Sequence, residues 1–416
     1  MMLTKKSKQL ILFFKNNGHI NYTKQTAKTK NILFSIYEDL LESYNYLLNL
    51  KKSKKKYFNV TIKKIHNKTH IIQPQNFHSK SFPDIIRTHI NDTAKYELTY
   101  TFSLYERNIK VYFIVEEDIM TDVKLETFNR YIDNITMWLY ILNKYASNNC
   151  VNTLAVYIYF TSLEKQLPET NVTILDEIQI NTAFTTSCPK NSEIVVYRRE
   201  EWFKVFIHES FHNFGLDFSD MDIKDSTRCI LNIFKVNSEV NLYESYAEFW
   251  AEIMNALFCA FFKLKNKNNI VEFLSNAEIF INFERTYSFF QLIKTLHFMG
   301  LTYRNLYLND ESSRTLREKL YKEKTNVLSY YIIKTVLINN YQGLFSWCKT
   351  NNYSLLQFKK TISNQMNYCK FIEKNYKTTS MLESIVYAEK FYNKVASKNK
   401  KNFLLSNLRM SICELG

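Results

Sequence analysis

The residues that could do chemistry lie in one stretch. It reads Glu201-Trp202-Phe203-Lys204-Val205-Phe206-Ile207-His208-Glu209-Ser210-Phe211-His212-Asn213-Phe214-Gly215 and contains His208-Glu209-x-x-His212. On an α-helix four residues turn through about 400°, so the two imidazoles fall within about 40° of each other and can grip one divalent ion. Glu209 stands about 100° round from His208, where it can reach a water held by that ion without ligating the ion itself. With 8 His and 40 acidic residues in 416, chance supplies on the order of 0.015 such patterns. Glu200 and Glu201 fall where the positive first turn of a helix favours carboxylates. Gly215, one of five glycines, stands where a left-handed cap would end that helix.

A catalytic zinc ion needs a third protein ligand and an open fourth position. A histidine three residues after Gly215 would complete one known pattern, but Phe218 stands there. Asp217 and Asp220 are near, at offsets that do not match. A second helical stretch, Tyr243-Glu244-Ser245-Tyr246-Ala247-Glu248-Phe249-Trp250-Ala251-Glu252, offers a better ligand. Glu244 and Glu248 share a face with Ala247 and Ala251, whose small side chains allow a metal-bearing helix to approach. Glu244 is the expected third ligand, and Glu248 the expected acceptor for the N–H of a ligand histidine. A Zn²⁺ ion on His208, His212 and Glu244 would acidify a water, with Glu209 as general base.

The HExxH pattern followed by Glu244-x-x-Ala247-Glu248-x-x-Ala251 resembles the gluzincin group of zinc metallopeptidases, and at the second motif its anthrax lethal factor-like branch. The longer string from Glu201 to Ser219 also resembles uncharacterised metallopeptidase-like proteins of large DNA viruses. The resemblance spans about residues 180–255. It implies a zincin-like mixed sheet, a zinc cofactor, metalloendopeptidase activity and an edge strand that pairs with extended substrate. Ile180 to Thr186 is the counterpart of that strand, with Ala183 and Phe184 as its substrate-binding residues. The group also uses a Tyr or His on the oxyanion, for which Tyr243, Tyr246, Tyr287 and His297 are available. The toxin branch carries a Tyr about two turns before its ligand Glu, whereas Val236-Asn237-Ser238 occupies that region here.

The elements that must position these residues are legible from periodicity. Tyr96 to Leu104 and Asn108 to Val115 alternate as an antiparallel pair. Leu154 to Phe160, Ile180 to Thr185 and Ile194 to Tyr197 read as further strands, and Glu126 to Tyr145 as a helix. Asn31 to Leu50 is a helix with apolar residues at helical spacing, and the lysine run from Lys51 to Lys56 reads as a solvated break. After Glu200 the chain reads as helices over 200–214, 238–265, 271–300, 323–340, 355–368 and 380–400. The reading is an α+β fold, a mixed sheet with a helix on one face, followed by a mostly α-helical C-terminal lobe. Its expected segments are a basic helical 1–70, a metallopeptidase core over 71–265 (sheet 96–198, metal helices 200–214 and 238–265) and an all-helical 266–416.

Composition narrows the class. Only 5 Gly and 4 Pro argue against collagen-like, linker-like and turn-dense sandwich architectures. The net charge of +15 admits a nucleic-acid partner. A protease recruited to nucleic acid, or a catalytically silent zincin scaffold serving structure or host interaction, are therefore the competing readings. Seven scattered Cys without CxxC pairs point to reduced thiols. The sequence shows neither a signal-peptide core nor a membrane span. Peptide or protein substrates and a cytoplasmic or virion-associated location are the corresponding expectations.

Overall fold

A computed structural model describes residues 3–18, 20, 22–53, 56–76, 81–119, 122–147, 149–398 and 403–416. In chain order the elements begin with α1 (Lys5–Asn17), α2 (Ala27–Ser53), β1 (Asn59–Lys64), α3 (Asp84–Thr93), β2 (Tyr96–Leu104) and β3 (Arg107–Val115). Next come α4 (Asp122–Tyr145), β4 (Thr153–Phe160), α5 (Glu177–Ile180), β5 (Ala183–Thr185), β6 (Asn191–Val196) and α6 (Trp202–Asn213). The chain continues with α7 (Lys224–Ile233), α8 (Leu242–Lys263), α9 (Ile270–Phe298), α10 (Glu311–Leu320) and a π-helical turn over Leu328–Ile333. It ends with α11 (Lys334–Asn339), α12 (Tyr341–Asn351), α13 (Ile362–Asn375), α14 (Thr379–Lys398) and the short α15 (Phe403–Ser406). Residues 34–164 and 182–216 form one compact unit; residues 1–33, 165–181 and 217–416 form another.

The first unit is built on a six-stranded mixed sheet of order β1-β2-β3-β4-β6-β5. β1, β2 and β3 run antiparallel in turn, β3, β4 and β6 are parallel, and β5 lies antiparallel on β6 at the edge. Alternation along β3 and β4 sends side chains to two different covers. Phe113 and Phe160 meet Phe128 of α4 and Trp202 of α6, and Trp138 of α4 stacks on Phe211 of α6. On the opposite face Ile114, Tyr157, Tyr159, Val195 and Tyr197 bury Phe82, Ile86 and Ile90, the last two on α3. Helices thus cover both faces rather than one. The second cover was hidden in residues 57–95, where Pro74 and Pro83 interrupt the pattern.

The second unit is helical. Its centre is polar as well as apolar: the buried Lys334 of α11 pairs with the buried Glu252 of α8 at 2.7 Å, and Ser288 of α9 bonds both. The buried carboxylate of Glu284 on α9 accepts from the backbone N–H groups of Ile412 and Cys413 and from Ser411 Oγ. Such groups are tolerable in a core only when this fully partnered.

Several local expectations are corrected. The strand expected from Ile180 begins at Ala183, because Asp176 and Gln179 form a reciprocal capping box that winds Glu177–Ile180 into α5. α13 begins at Ile362, where Thr361 caps it, and not at Leu355. The lysine run does not break the helix at Lys51, since α2 continues to Ser53; Lys54 and Lys55 lie outside the described residues. The thiols are not all free: Cys150 and Cys188 form a disulfide with Cα atoms 4.8 Å apart. Backbone bonds from Val151 and Asn152 to Pro189 and Lys190 bring the two loops together. No helix among the described residues is long and apolar enough to cross a membrane.

α6 ends as its glycine foretold. Gly215 has φ +66°, its N–H reaches His212 O, and Leu216 N–H reaches Phe211 O, the paired bonds of a Schellman cap. Gly215→Ala forces a Cβ into the left-handed region and is expected to lower unfolding free energy by about 1–2 kcal/mol, read from urea denaturation followed by circular dichroism.

Candidate metal centre

α6 is held at both ends. At its start Trp202 packs against Tyr131 and Phe160, with ring centroids 4.9 and 5.7 Å away. The helix begins two residues later than expected, so Glu200 and Glu201 precede its first turn and Glu201 takes φ +59°. At its end Asn213 accepts from Ser192 Oγ and donates to Thr185 Oγ1, which in turn donates to the carbonyl of Glu193. Cys188 N–H donates to the carbonyl of His212 at 3.2 Å. These bonds tie the helix end to β5, β6 and the disulfide loop.

His208 and His212 are buried, 5% and 7% exposed, so their directions are set by packing. Their Nε2 atoms face each other at 3.2 Å, with the rings at 80°. Two imidazoles bound to one tetrahedral zinc ion at about 2.0–2.1 Å place their nitrogens about 3.3 Å apart. Glu244 completes the group: one ligand atom from each of His208, His212 and Glu244 lies within 4.8 Å of the others. The histidine pair already has the spacing of a metal shell. The donor set, two imidazoles and a carboxylate, suits a first-row divalent ion.

Glu244 is steadied from a residue the sequence did not single out. Tyr330 Oη donates to Glu244 Oε2 at 2.8 Å. Tyr330 sits on the π-helical turn, a distortion of the kind often retained at functional sites. Ser329 Oγ bonds the carbonyl of Asn241, just before α8, at 2.8 Å. Glu323 accepts from Leu328 N–H, where that turn begins, and from Tyr321 Oη. Burial pushes the Glu323 carboxyl up to about 7. In a chain with 29 tyrosines, nothing in the local pattern marks Tyr330.

The other expected residues have distinct places. Glu209 is buried, 7% exposed, directly after His208. Glu248 is buried one turn after Glu244 and stands outside the ligand group; its charge bears on Glu252. Asp217 accepts from Ser219, and Asp220 pairs with Lys360 at 2.8 Å. Tyr246, Tyr287 and His297 bond Leu356, Gln291 and Tyr392 respectively. Tyr243 lies beside Glu244 and Asp217, and burial together with their charges raises its phenol. Ala183 and Phe184 lie on the edge strand β5, where the Phe184 ring packs against Phe82 and Tyr197.

No family model, curated protein or solved structure matches the chain. The resemblance to gluzincins therefore stands on the motif and on the ligand group it brings together.

Two outcomes test this arrangement. Tyr330→Phe removes one hydrogen bond to the ligand carboxylate and should weaken zinc affinity by about 10-fold or more, measured by competition with a chelating dye, with the circular dichroism unchanged. The raised carboxyl of Glu323 favours the folded state in acid and loses that contribution as pH rises from about 4.5 through about 7. Glu323→Gln should remove up to about 3 kcal/mol of that pH dependence, seen by comparing urea denaturation at the two ends of the range.

Proposed function

We propose that this chain is a zinc-dependent peptide hydrolase, with His208, His212 and Glu244 as metal ligands and Glu209 as general base. The observation that supports this reading most is the 3.2 Å approach of the two Nε2 atoms with Glu244 beside them. A zinc ion held there would supply Lewis-acid polarisation of a carbonyl and lower the pKa of a water.

The chain's own residues then divide the remaining work. Glu209 follows His208 on the same rigid helix, so its carboxylate is directed near the ligand pair without being one of the pair. It takes the proton from the attacking water and returns it to the leaving amine, a transfer that needs one carboxylate in two protonation states. β5 is the last strand at one edge of the sheet, where extended peptide would add as a further strand through the backbone of Ala183 and Phe184. The packing of the Phe184 ring supports a backbone role there rather than a side-chain one.

Glu209→Gln should bind zinc at the wild-type stoichiometry while hydrolysis of a peptide library falls about 100- to 10,000-fold. Full hydrolysis by that variant would refute the proposal. Glu244→Ala should lose bound zinc in elemental analysis, and unchanged metal content would remove Glu244 from the ligand set.

A further inference from the structure

Four of the five cysteines outside the Cys150–Cys188 disulfide are also paired in space. The thiol of Cys229 on α7 neighbours that of Cys369 on α13, and the thiol of Cys259 on α8 neighbours that of Cys413; burial pushes the Cys229, Cys369 and Cys413 thiols up. The surrounding bonds fix both placements. Cys369 Sγ reaches the carbonyl of Ser226, one turn before Cys229, at 3.8 Å, and Gln365, one turn before Cys369, donates to the carbonyl of Asp222. Asn255, one turn before Cys259, donates to the carbonyl of Cys413.

The two pairs differ in access. Cys259 and Cys413 are both buried, as is Cys348. Cys229 is half-buried and its partner Cys369 is fully buried. Cys229 is thus the partly exposed member of its pair, whereas both members of the other pair are buried. The position is consequential for the helix that carries Glu244: Tyr368, next to Cys369, bonds Ser245 through its hydroxyl and packs its ring on Tyr246.

We propose that Cys229 and Cys369 form a thiol–disulfide modification site, with Cys229 as attacking thiol and Cys369 as resolving thiol, oxidised by small-molecule disulfides of the glutathione class. The Cys229 thiolate attacks one sulfur of the oxidant, the oxidant's S–S bond breaks, and one reduced thiol leaves. The Cys369 thiolate then attacks Cys229 Sγ in the mixed disulfide and expels the second reduced thiol. Both protein thiols lose their protons, and their two electrons reduce the oxidant's disulfide. The product staples α7 to α13, which otherwise meet only through packing and hydrogen bonds.

The test uses the full-length chain, folded, treated with oxidised glutathione, then alkylated in denaturant and digested without reduction. Mass spectrometry is expected to find a Cys229–Cys369 cross-linked peptide, with Cys259, Cys348 and Cys413 alkylated as free thiols. Cys369→Ser should trap one glutathione on Cys229, and Cys229→Ser should leave Cys369 unmodified. Oxidation of Cys259–Cys413 in preference to Cys229–Cys369 overturns the proposal. So does a stable glutathione adduct on wild-type Cys229 with Cys369 still a thiol, or absence of any adduct in Cys369→Ser.

Discussion

Two imidazole nitrogens held 3.2 Å apart inside protein are the constraint on which the rest of the structure turns. Lone pairs aimed at one point repel unless a proton or a cation lies between them, so the arrangement persists only on a rigid support. α6 provides that support. Its side chains are almost wholly buried, its first turn is wedged among aromatic rings, and its last turn is closed by a Schellman cap and by Asn213. The i, i+4 spacing sets the relative direction of the imidazoles, and the sheet beneath sets where they point.

The proposed third ligand depends on a different kind of support. Glu244 lies in the first turn of α8, where a helix end would ordinarily fray. Ser245 bonds back to Leu242, and the π-helical turn is anchored to Asn241 and aims Tyr330 at the carboxylate. Two turns further on, Glu252 is locked to Lys334 within the core. Packing and hydrogen bonds thus hold the position of the carboxylate, so metal affinity should respond to residues that never touch metal.

How much of this could be read from the chain followed from the range of the interaction concerned. His208 and His212 were legible as a facing pair because helical geometry relates them within one turn. Glu244 was legible because its alanine-bearing face has the same local period. β2, β3 and β4 were read to within a residue or two, since alternation is also local. What escaped was long-range. Tyr330 meets Glu244 across 86 residues, Cys150 meets Cys188 across 38, and α3 covers a sheet face that its own proline-flanked segment does not announce. The false start of β5 at Ile180 came from an apolar residue that serves α5, where side-chain capping overrode strand-like composition.

Zinc K-edge X-ray absorption of the metal-loaded protein tests the central claim most directly. The account predicts a four-coordinate shell with two imidazoles and one carboxylate oxygen from the protein at about 2.0–2.2 Å. A six-coordinate aquo ion without imidazole scattering, or a shell containing sulfur at about 2.3 Å, would contradict it.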